Sequence, residues 1–353
     1  MRKGKRLIAW IMAVVMLFTI CVFGGNGTAE AAATTPVAKH GRLSVKGADL
    51  VDSKGNKFQL RGISTHGINW DVGSPYVNKK AFKTLRDDWG VNAIRLAMYT
   101  EEYNGYCSGG SQAKLRKQVD KGVGYATDLG IYAIIDWHIL SDGNPNKNKS
   151  QAKKFFTAMA KKYKNNKNVI YEICNEPNGC SWKEIKSYAT DIIKTIRKYD
   201  KKAVIIVGTP TWSQLGTDGT SNEVADSPIK GYKNIMYSLH FYASEWAHNE
   251  YLPAKVAYAR KKKLPIIVSE FGLSPASGDG AINKASADKW MKLLNKYNIS
   301  YFCWSLSNKN ESASLLKPST KKTSGWKSGD LSTAGKYIKK KYLARKKALG
   351  KKA

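Results

Sequence analysis

The sequence predicts an α/β fold, a (β/α)8 TIM barrel preceded by a short β-hairpin. Eight short apolar runs alternate with segments of helical hydrophobic period. The 353 residues, of which 42% are hydrophobic, suffice for one such barrel around a single core. Polar and aromatic residues collect where the apolar runs end, and in a parallel barrel those ends meet at one rim.

The expected hairpin covers 41–59, with its turn at 53–56. The strands are then expected at 58–65, 93–99, 132–140, 169–176, 204–209, 235–242, 265–270 and 300–306. Helices are expected at 79–89, 113–129, 151–163, 182–199, 252–262, 284–297 and 332–349. Asn78 and Ser150 are predicted N-caps, and Gly90 and Gly130 are predicted to end two helices. The fifth crossover, 214–233, is expected to hold only a short helix.

Residues 1–31 are predicted to be a secretory signal peptide. Four basic residues precede the apolar stretch 7–23, and Ala29-Glu30-Ala31 fits a small-x-small cleavage site. An uncleaved membrane anchor is the alternative, because the apolar stretch nearly reaches spanning length. Residues 32–353 are expected to form one (β/α)8 catalytic domain of a secreted, extracellular protein.

Four cysteines remain after the predicted signal: Cys107, Cys174, Cys180 and Cys303. An even number in an exported chain permits disulfides but does not define their pairing. Cys174 and Cys303 lie in strand-like runs and are expected to be buried thiols, whereas Cys107 and Cys180 lie in loops. The absence of CxxC spacing argues against a zinc knuckle.

The chain is strongly basic, with a formal net charge of +32. Residues 1–31 hold four basic groups and one acidic group, so the mature chain would carry +29. Such a protein is expected to adhere to anionic surfaces, including an anionic cell wall. The tail from about 336 has many lysines and no acidic residue; the simpler interpretation is solvated helix faces and a frayed helix end. Nucleic acid is not an expected partner, because the lysines are scattered and no recognised binding motif is present.

Two apolar runs each deliver a glutamate at their carboxyl end. Glu176 stands in the tetrad 175–178, Asn-Glu-Pro-Asn, and Glu270 ends the run 265–270. Cleavage of a glycosidic bond needs one protonated carboxyl beside the leaving oxygen and one carboxylate on the opposite face of the sugar. Either glutamate alone could be a solvated strand end. Together at one rim they indicate a glycoside-cleaving site.

Other strand ends supply groups that suit this chemistry. Tyr242 and Arg95 can donate to Glu270 and keep it ionised. His240 can hydrogen-bond the acid partner and tune it. The amide of Asn175 can bind a sugar hydroxyl.

Histidines and tryptophans at the same rim fit sugar recognition. His66 and His138 suit hydroxyl groups, and Trp70, Trp212 and Trp304 offer flat apolar faces to sugar C–H surfaces. Tyr99 and Trp137 also fall at strand ends. His66, His138 and His240 could instead form a metal site, but no His-x-His pair or suitably placed Asp completes it, and no metal is expected.

Over residues 41–331 the sequence resembles glycoside hydrolase family 5, on its cellulase side. The matching stretches are RGISTHG at 61–67, AIRLAMY at 93–99, IIDWH at 134–138, IYEICNEP at 170–177, HFY at 240–242, VSE at 268–270 and WSL at 304–306. The resemblance implies an endo-β-1,4-glucanase that hydrolyses cellulose-type β-glucans by a retaining double displacement, without a cofactor. A monomer is expected.

The resemblance also implies individual roles. Glu176 would be the acid/base and Glu270 the nucleophile, with their carboxyls about 5 Å apart. The catalytic pair would be supported by Arg95, His138, Asn175, His240 and Tyr242. The subsites would be lined by His66, Trp70, Tyr99, Trp212 and Trp304, and the minus-side sugar contacts would be Lys309 and Glu311.

Three positions depart from the family pattern: Phe271, Cys174 and Asn310 stand where Trp, a small residue and Asp are usual. None removes a catalytic group, but Phe271 and Asn310 leave the substrate preference open. The alternatives are another β-glycanase acting on mannan, xyloglucan or mixed-linkage glucan, a metal-dependent hydrolase, and a non-catalytic carbohydrate-binding wall protein.

Overall fold

A computed structural model describes residues 34–350; the predicted signal peptide lies outside the described residues. Strands β1 (Ser44–Lys46) and β2 (Asp49–Val51) form an antiparallel hairpin. Eight parallel strands then close a barrel in sequence order, with the last beside the first. They are β3 (Arg61–Thr65), β4 (Ala93–Tyr99), β5 (Tyr132–His138), β6 (Val169–Glu172), β7 (Ile205–Val207), β8 (Ile235–Tyr242), β9 (Ile266–Gly272) and β10 (Tyr301–Leu306). The predicted TIM barrel and its preceding hairpin are confirmed.

Helices follow the strands around the outside of the barrel. They are α1 (Pro36–His40), α2 (Lys79–Trp89), α3 (Gln112–Asp128), α4 (Lys149–Tyr163), α5 (Trp182–Arg197), α6 (Pro210–Ser213), α7 (Glu223–Asp226), α8 (Trp246–Lys261), α9 (Lys284–Lys296) and α10 (Thr333–Gly350). Single 3-10 turns lie at Ser74–Tyr76 and Ser328–Asp330. Among the described residues, no helix combines the length and apolar character that crossing a bilayer requires.

The helix ends follow most of the expected signals. Asn78 caps α2 by accepting a hydrogen bond from the amide of Ala81, and Gly90 ends it with a left-handed φ of 75°. Ser150 is not a cap, because α4 already begins at Lys149. Helix α8 begins six residues before its predicted start. Pro253 lies inside it, where a proline removes an internal hydrogen bond, and this obscured the helical pattern.

Strands β1 and β2 are joined by a turn at 47–48, which the sequence analysis did not predict. The predicted turn at 53–56 is present, and it lies between Val51 and Lys57, which form an isolated antiparallel bridge. Gly47, with φ at 61°, reverses the chain between β1 and β2. The segment 53–56 forms a second turn, in which the carboxylate of Asp52 accepts hydrogen bonds from the amides of Lys54 and Asn56, both at 2.9 Å. Both segments have turn composition, so composition alone did not show which of them pairs the two strands.

The end of the barrel where its strands begin is filled with apolar side chains. One buried cluster joins the hairpin to the barrel interior through Leu43, Leu50, Phe58, Leu60, Ala93, Tyr132, Ile134, Ile170, Val204, Ile206, Met236, Ile267 and Phe302. A Cβ at Gly62 would lie 2.0 Å from the ring of Phe302, so the glycine makes room for that ring. The part of the barrel interior next to the hairpin is therefore apolar.

The basic segment from about 336 is the last helix of the barrel rather than a frayed end. Tyr337, Ile338 and Tyr342 of α10 are buried against the barrel. The hydroxyl of Tyr342 donates to the carbonyl of Gly62 at 2.8 Å, which ties the helix to β3. Its exposed face carries the lysines.

Cys107, Cys174, Cys180 and Cys303 are all free thiols. Cys174 and Cys303 are buried, as expected, and the other two are half-buried.

Candidate active site

A cleft of about 620 Å³ opens at the rim where the barrel strands end. Its walls include twelve residues that the sequence assigned to the site: His66, Trp70, Tyr99, His138, Glu176, Trp212, His240, Tyr242, Glu270, Trp304, Lys309 and Glu311. The remaining two, Arg95 and Asn175, are fully buried directly behind this surface. Side chains from distant parts of the chain thus meet in one place.

Trp137 does not reach the rim. It is fully buried against Tyr106 and Phe155, on the outer side of the sheet. Successive side chains of a strand point to opposite faces, so the residues on either side of Trp137, Asp136 and His138, point into the barrel.

The two glutamates face each other in the cleft. Strand β6 ends at Glu172, so Glu176 stands in the following loop rather than at the strand end, whereas Glu270 lies within β9. A carboxylate oxygen of Glu176, a carboxylate oxygen of Glu270 and a ring nitrogen of His240 all lie within 4.8 Å of one another. Both carboxyls can therefore reach one atom of a bound ligand.

Arg95 holds the base of the site together. Its guanidinium donates to Glu270 at 2.9 Å, to Glu172 at 2.7 Å and to Asn175 at 2.6 Å, and lies 3.0 Å from Asp136. Burial disfavours the charged guanidinium, but the three carboxylates outweigh burial and raise the pKa of Arg95. Arg95 is thus a permanent cation buried among acidic groups.

Asp136 and Glu172 also pair with Arg95, and the sequence analysis did not include them in the site. Both are fully buried in the barrel interior. Burial raises the pKa of Asp136 to about 7 although Arg95 opposes the rise, and burial also raises the pKa of Glu172. The available signal was an acidic residue inside each apolar run, since a buried charge requires a partner.

The surroundings of Glu176 favour its protonated form. Burial raises its pKa to about 8; Arg95 opposes this rise, while Asp136 and Glu172 add to it. Nδ1 of His240 lies 2.8 Å from Glu176, and its Nε2 lies 2.9 Å from the hydroxyl of Ser269. Burial lowers the pKa of His240 to about 4, so this imidazole is neutral at pH 7.

Glu270 receives hydrogen bonds instead. Besides Arg95, the hydroxyl of Tyr242 donates to it at 2.8 Å. Burial raises the pKa of Tyr242 well above its ordinary value, so the phenol keeps its proton. Burial thus favours a proton on Glu176, whereas two donors contact Glu270, which is the asymmetry that an acid and a nucleophile require.

His138 and Asn175 fix each other. Nδ1 of His138 lies 2.6 Å from Asp136, and its Nε2 lies 3.2 Å from the amide nitrogen of Asn175. That amide also donates to the carbonyl of Ile139 at 3.1 Å. Because protein groups already engage the Asn175 amide, its contact with a sugar hydroxyl stays a prediction. The ring of His138 stacks on Trp304 at 5.2 Å.

Aromatic and charged side chains form the wall on the side of β3 and β10. The rings of Trp70 and Tyr99 lie 4.5 Å apart, and Trp70 also lies beside His66. Lys309 and Glu311 form an ion pair at 2.5 Å. Burial raises the pKa of the Glu311 carboxyl although Lys309 opposes the rise. These groups offer both apolar faces and hydrogen bonds to a sugar.

Trp212 reaches the cleft from an unusual turn. Thr211, Trp212 and Ser213 have φ values of 57°, 53° and 62°, a left-handed path that costs roughly 1–3 kcal/mol for each residue without a glycine. The amide of Trp212 donates to the carbonyl of Pro177 at 3.1 Å, and the hydroxyl of Ser213 donates to the carbonyl of Asn175 at 2.7 Å. The turn therefore fixes a half-exposed Trp212 beside Glu176.

Several further residues of the cleft were not assigned to the site from the sequence. They are Glu102, Leu140, Gln214, Glu245, His248, Ala276, Ser277 and Gly278; His248 lies in α8, and the others lie in loops beyond the strand ends. The alternative of a metal site would use His66, His138 and His240, but both ring nitrogens of His138 and of His240 have protein partners within 3.2 Å. Within residues 34–350, the side chains of Glu176, His240 and Glu270 are close enough together to bind one metal ion. The neighbouring Arg95 cation would repel such an ion.

A barrel rim that presents one protonated and one hydrogen-bonded carboxyl between aromatic walls defines a glycoside-cleaving enzyme. Comparison with known proteins agrees. The family model described as "Cellulase (glycosyl hydrolase family 5)" matches residues 51–310. The chain belongs to glycosyl hydrolase family 5 and is a glycosidase, which confirms the resemblance seen in the sequence.

Related bacterial proteins support this assignment. An "Endoglucanase" of Clostridium saccharobutylicum is 47% identical over 339 residues, which cover 95% of this chain and 72% of the relative. "Endoglucanase 5" of Pectobacterium carotovorum subsp. carotovorum is 44% identical over 325 residues, covering 92% of this chain and 62% of the relative. The chain thus spans about two thirds of the length of these relatives.

The catalytic domain of Thermobifida fusca endoglucanase Cel5A (E5) is a similar solved structure. It has a TM-score of 0.82 and 37% identity, covering 88% of this chain and 99% of that one. The same domain has also been solved in complex with cellotetraose, with a TM-score of 0.82 and 36% identity over 88% of this chain and 99% of that one.

Proposed function

We propose that the protein is an endo-β-1,4-glucanase that hydrolyses internal bonds of cellulose-type β-glucans. The observation that carries this proposal is the facing pair Glu176 and Glu270 in an open, aromatic-lined cleft. An open cleft accepts the middle of a chain, and aromatic faces suit the apolar surfaces of glucose units. The endoglucanase relatives and the cellotetraose complex support the same substrate class.

The mechanism we propose is retaining double displacement. Retaining enzymes hold their carboxyls about 5–5.5 Å apart, whereas inverting enzymes leave roughly 6.5–9.5 Å for a water molecule. The approach of Glu176 and Glu270 to within 4.8 Å between oxygens supports the shorter separation.

In the first step, a carboxylate oxygen of Glu270 attacks the anomeric carbon, and the bond from this carbon to the leaving oxygen breaks. Glu176 gives its proton to that oxygen, which leaves as a hydroxyl. Arg95 and Tyr242 orient Glu270 for the attack through their hydrogen bonds at 2.9 and 2.8 Å.

In the second step, Glu176 accepts a proton from water while the water oxygen attacks the same carbon. The bond to Glu270 breaks, and the carboxylate is restored. Since the ester form of Glu270 carries no charge, a like charge has been removed from beside Glu176, which makes Glu176 easier to ionise and ready to act as a base.

The direct test is reducing-sugar release by the purified chain without residues 1–31 on carboxymethylcellulose, mixed-linkage glucan, mannan and xylan. We expect turnover on the two glucans, unchanged by a chelator, and none from Glu270→Gln. Glu250→Gln, an exposed change on α8, is the matched control and should keep parent activity. Greater activity on mannan or xylan would select another β-glycanase, and binding without turnover would select the carbohydrate-binding protein.

We also propose that the protein is secreted and associates electrostatically with an anionic cell wall. Secretion rests on the sequence pattern of 1–31, and wall association rests on the positive charge, including the exposed lysines of α10. Deletion from 336 would remove the buried Tyr337, Ile338 and Tyr342, so substitution is the sharper test.

The combined change Lys340→Ala, Lys346→Ala and Lys347→Ala should weaken retention on isolated anionic walls at low salt. Activity on soluble substrate should stay at the parent value. Raised salt should release the parent as well, because such binding is screened. Retention that ignores both salt and these substitutions would contradict the electrostatic association.

A further inference from the structure

Exposed apolar side chains are concentrated around the cleft. In the described part of the chain, the large exposed hydrophobic residues are Tyr103, Leu140, Trp212, Trp246, Tyr251 and Leu343. Leu140 and Trp212 line the cleft, and Tyr103 and Trp246 directly follow the cleft residues Glu102 and Glu245. Trp246 is 68% exposed, which is a large apolar surface to leave in water without a ligand.

Trp246 and Tyr251 form a pair on the first turns of α8. Their rings meet edge to face with centroids 5.8 Å apart. Glu245 and His248, from the same end of the helix, line the cleft. A Cβ at Gly219 would lie 2.8 Å from the ring of Tyr251, so this ring lies directly on the loop that continues from Trp212. The pair is therefore continuous with the cleft through both the helix and the loop.

The position of Trp212 shows which part of a substrate chain would meet this pair. Its amide binds the carbonyl of Pro177, the residue after the proton donor Glu176. Glu176 faces the leaving oxygen, so sugars on its side belong to the leaving part of the chain. Lys309 and Glu311 instead form a wall with His66, on the side of β3 and β10.

We propose that Trp246, supported by Tyr251, is a further glucose subsite for the leaving part of the β-glucan chain, beyond Trp212. The equatorial hydroxyls of a β-1,4-glucan leave flat C–H faces that stack on an indole ring. Because the pair stands outside the cleft walls, only chains long enough to extend past Trp212 reach it. This inference rests on the proposed function, of which it specifies one part.

The test compares chain lengths in Trp246→Ala and the parent. We expect kcat/KM on cellohexaose and carboxymethylcellulose to fall about three- to tenfold, mainly through KM, with cellotetraose hydrolysis unchanged. Trp246→Phe should recover most of the loss. Leu343→Ala is the control: it removes another exposed apolar group, on α10, a helix tied to the opposite end of the barrel, and should change none of these values.

Equal kinetics of Trp246→Ala and parent on every chain length would overturn the subsite, and so would an equal loss on cellotetraose and cellohexaose. A parent that elutes as an oligomer while Trp246→Ala elutes as a monomer would assign the pair to a contact between copies of the chain. A parent inactive on every glucan would instead contradict the proposed function, and the subsite would fall with it.

Discussion

The two halves of the barrel interior are built from the same strands but from opposite kinds of residue. In the half where the strands begin, Ala93, Ile134 and Ile170 belong to an apolar cluster. Two residues further along each strand stand Arg95, Asp136 and Glu172, which are charged and fully buried. Side chains two apart share a face, so each strand changes from apolar packing to an ionic network within one step.

The apolar half serves mainly the stability of the fold, and the charged half serves the chemistry of the cleft. The apolar half gains free energy by removing surface from water, and no reaction depends on its side chains. The charged half has a desolvation cost that only mutual pairing offsets, yet its Arg95 fixes Glu270, and burial together with Asp136 and Glu172 holds a proton on Glu176. We therefore expect substitutions in the two halves to have separable effects.

The largest effect is expected in the charged half. Arg95→Met leaves Asp136, Glu172 and Glu270 without their shared cation. The free energy of unfolding should fall by about 3–5 kcal/mol at pH 7, and turnover should be lost even in the folded fraction. Denaturant unfolding measures the stability, and activity assays at low temperature measure the turnover. An active Arg95→Met enzyme would contradict the role given to the charged half.

A substitution in the apolar half should separate the two properties. Phe302→Ala empties the space that Gly62 leaves for the ring, and it should also cost about 3–5 kcal/mol of unfolding free energy. The kcat of the folded protein should stay near the parent value, because Phe302 belongs to the apolar cluster and does not line the cleft. If kcat falls as far as in Arg95→Met, the two halves are not separable.

The pH dependence gives a smaller and more specific test. Proton donation needs protonated Glu176, whose pKa is raised to about 8, so kcat/KM should fall as pH rises through that value. Between about 4.5 and 8 the folded state binds this proton more tightly than the unfolded state does, so this group makes unfolding free energy decrease as pH rises. In Glu176→Gln, this contribution to the pH dependence of the unfolding free energy should vanish. An unchanged pH dependence would contradict the raised pKa of Glu176.

Much of this division can be predicted from the sequence, because strand runs and their terminal residues are local patterns. The eight strands, Glu176, Glu270 and most of the cleft were predicted in this way. Asp136 and Glu172 were missed. An acidic residue inside an apolar run needs a buried partner of opposite charge, and this partner, Arg95, lies on a different strand. Trp137 was wrongly assigned to the rim. Its side chain points outward, and the sequence alone does not show which residues of β5 point into the barrel.

Residues beyond the strand ends were the least predictable. Trp246 and Tyr251 lie on α8, and Glu245 directly precedes this helix, whose start the internal Pro253 concealed. Three consecutive left-handed residues at 211–213 present Trp212, and their sequence contains no glycine to indicate such a turn. Both features depend on contacts between distant segments, which no local pattern reports.

The proposed mechanism requires Glu270 and Glu176 to act together in a retaining double displacement. The most direct measurement is the anomeric configuration of the first product, followed by proton NMR during hydrolysis of a soluble cello-oligosaccharide. We expect the β-anomer to appear first and then to equilibrate, with no product from Glu270→Gln. Initial appearance of the α-anomer would contradict it, because a single displacement by water inverts the anomeric carbon.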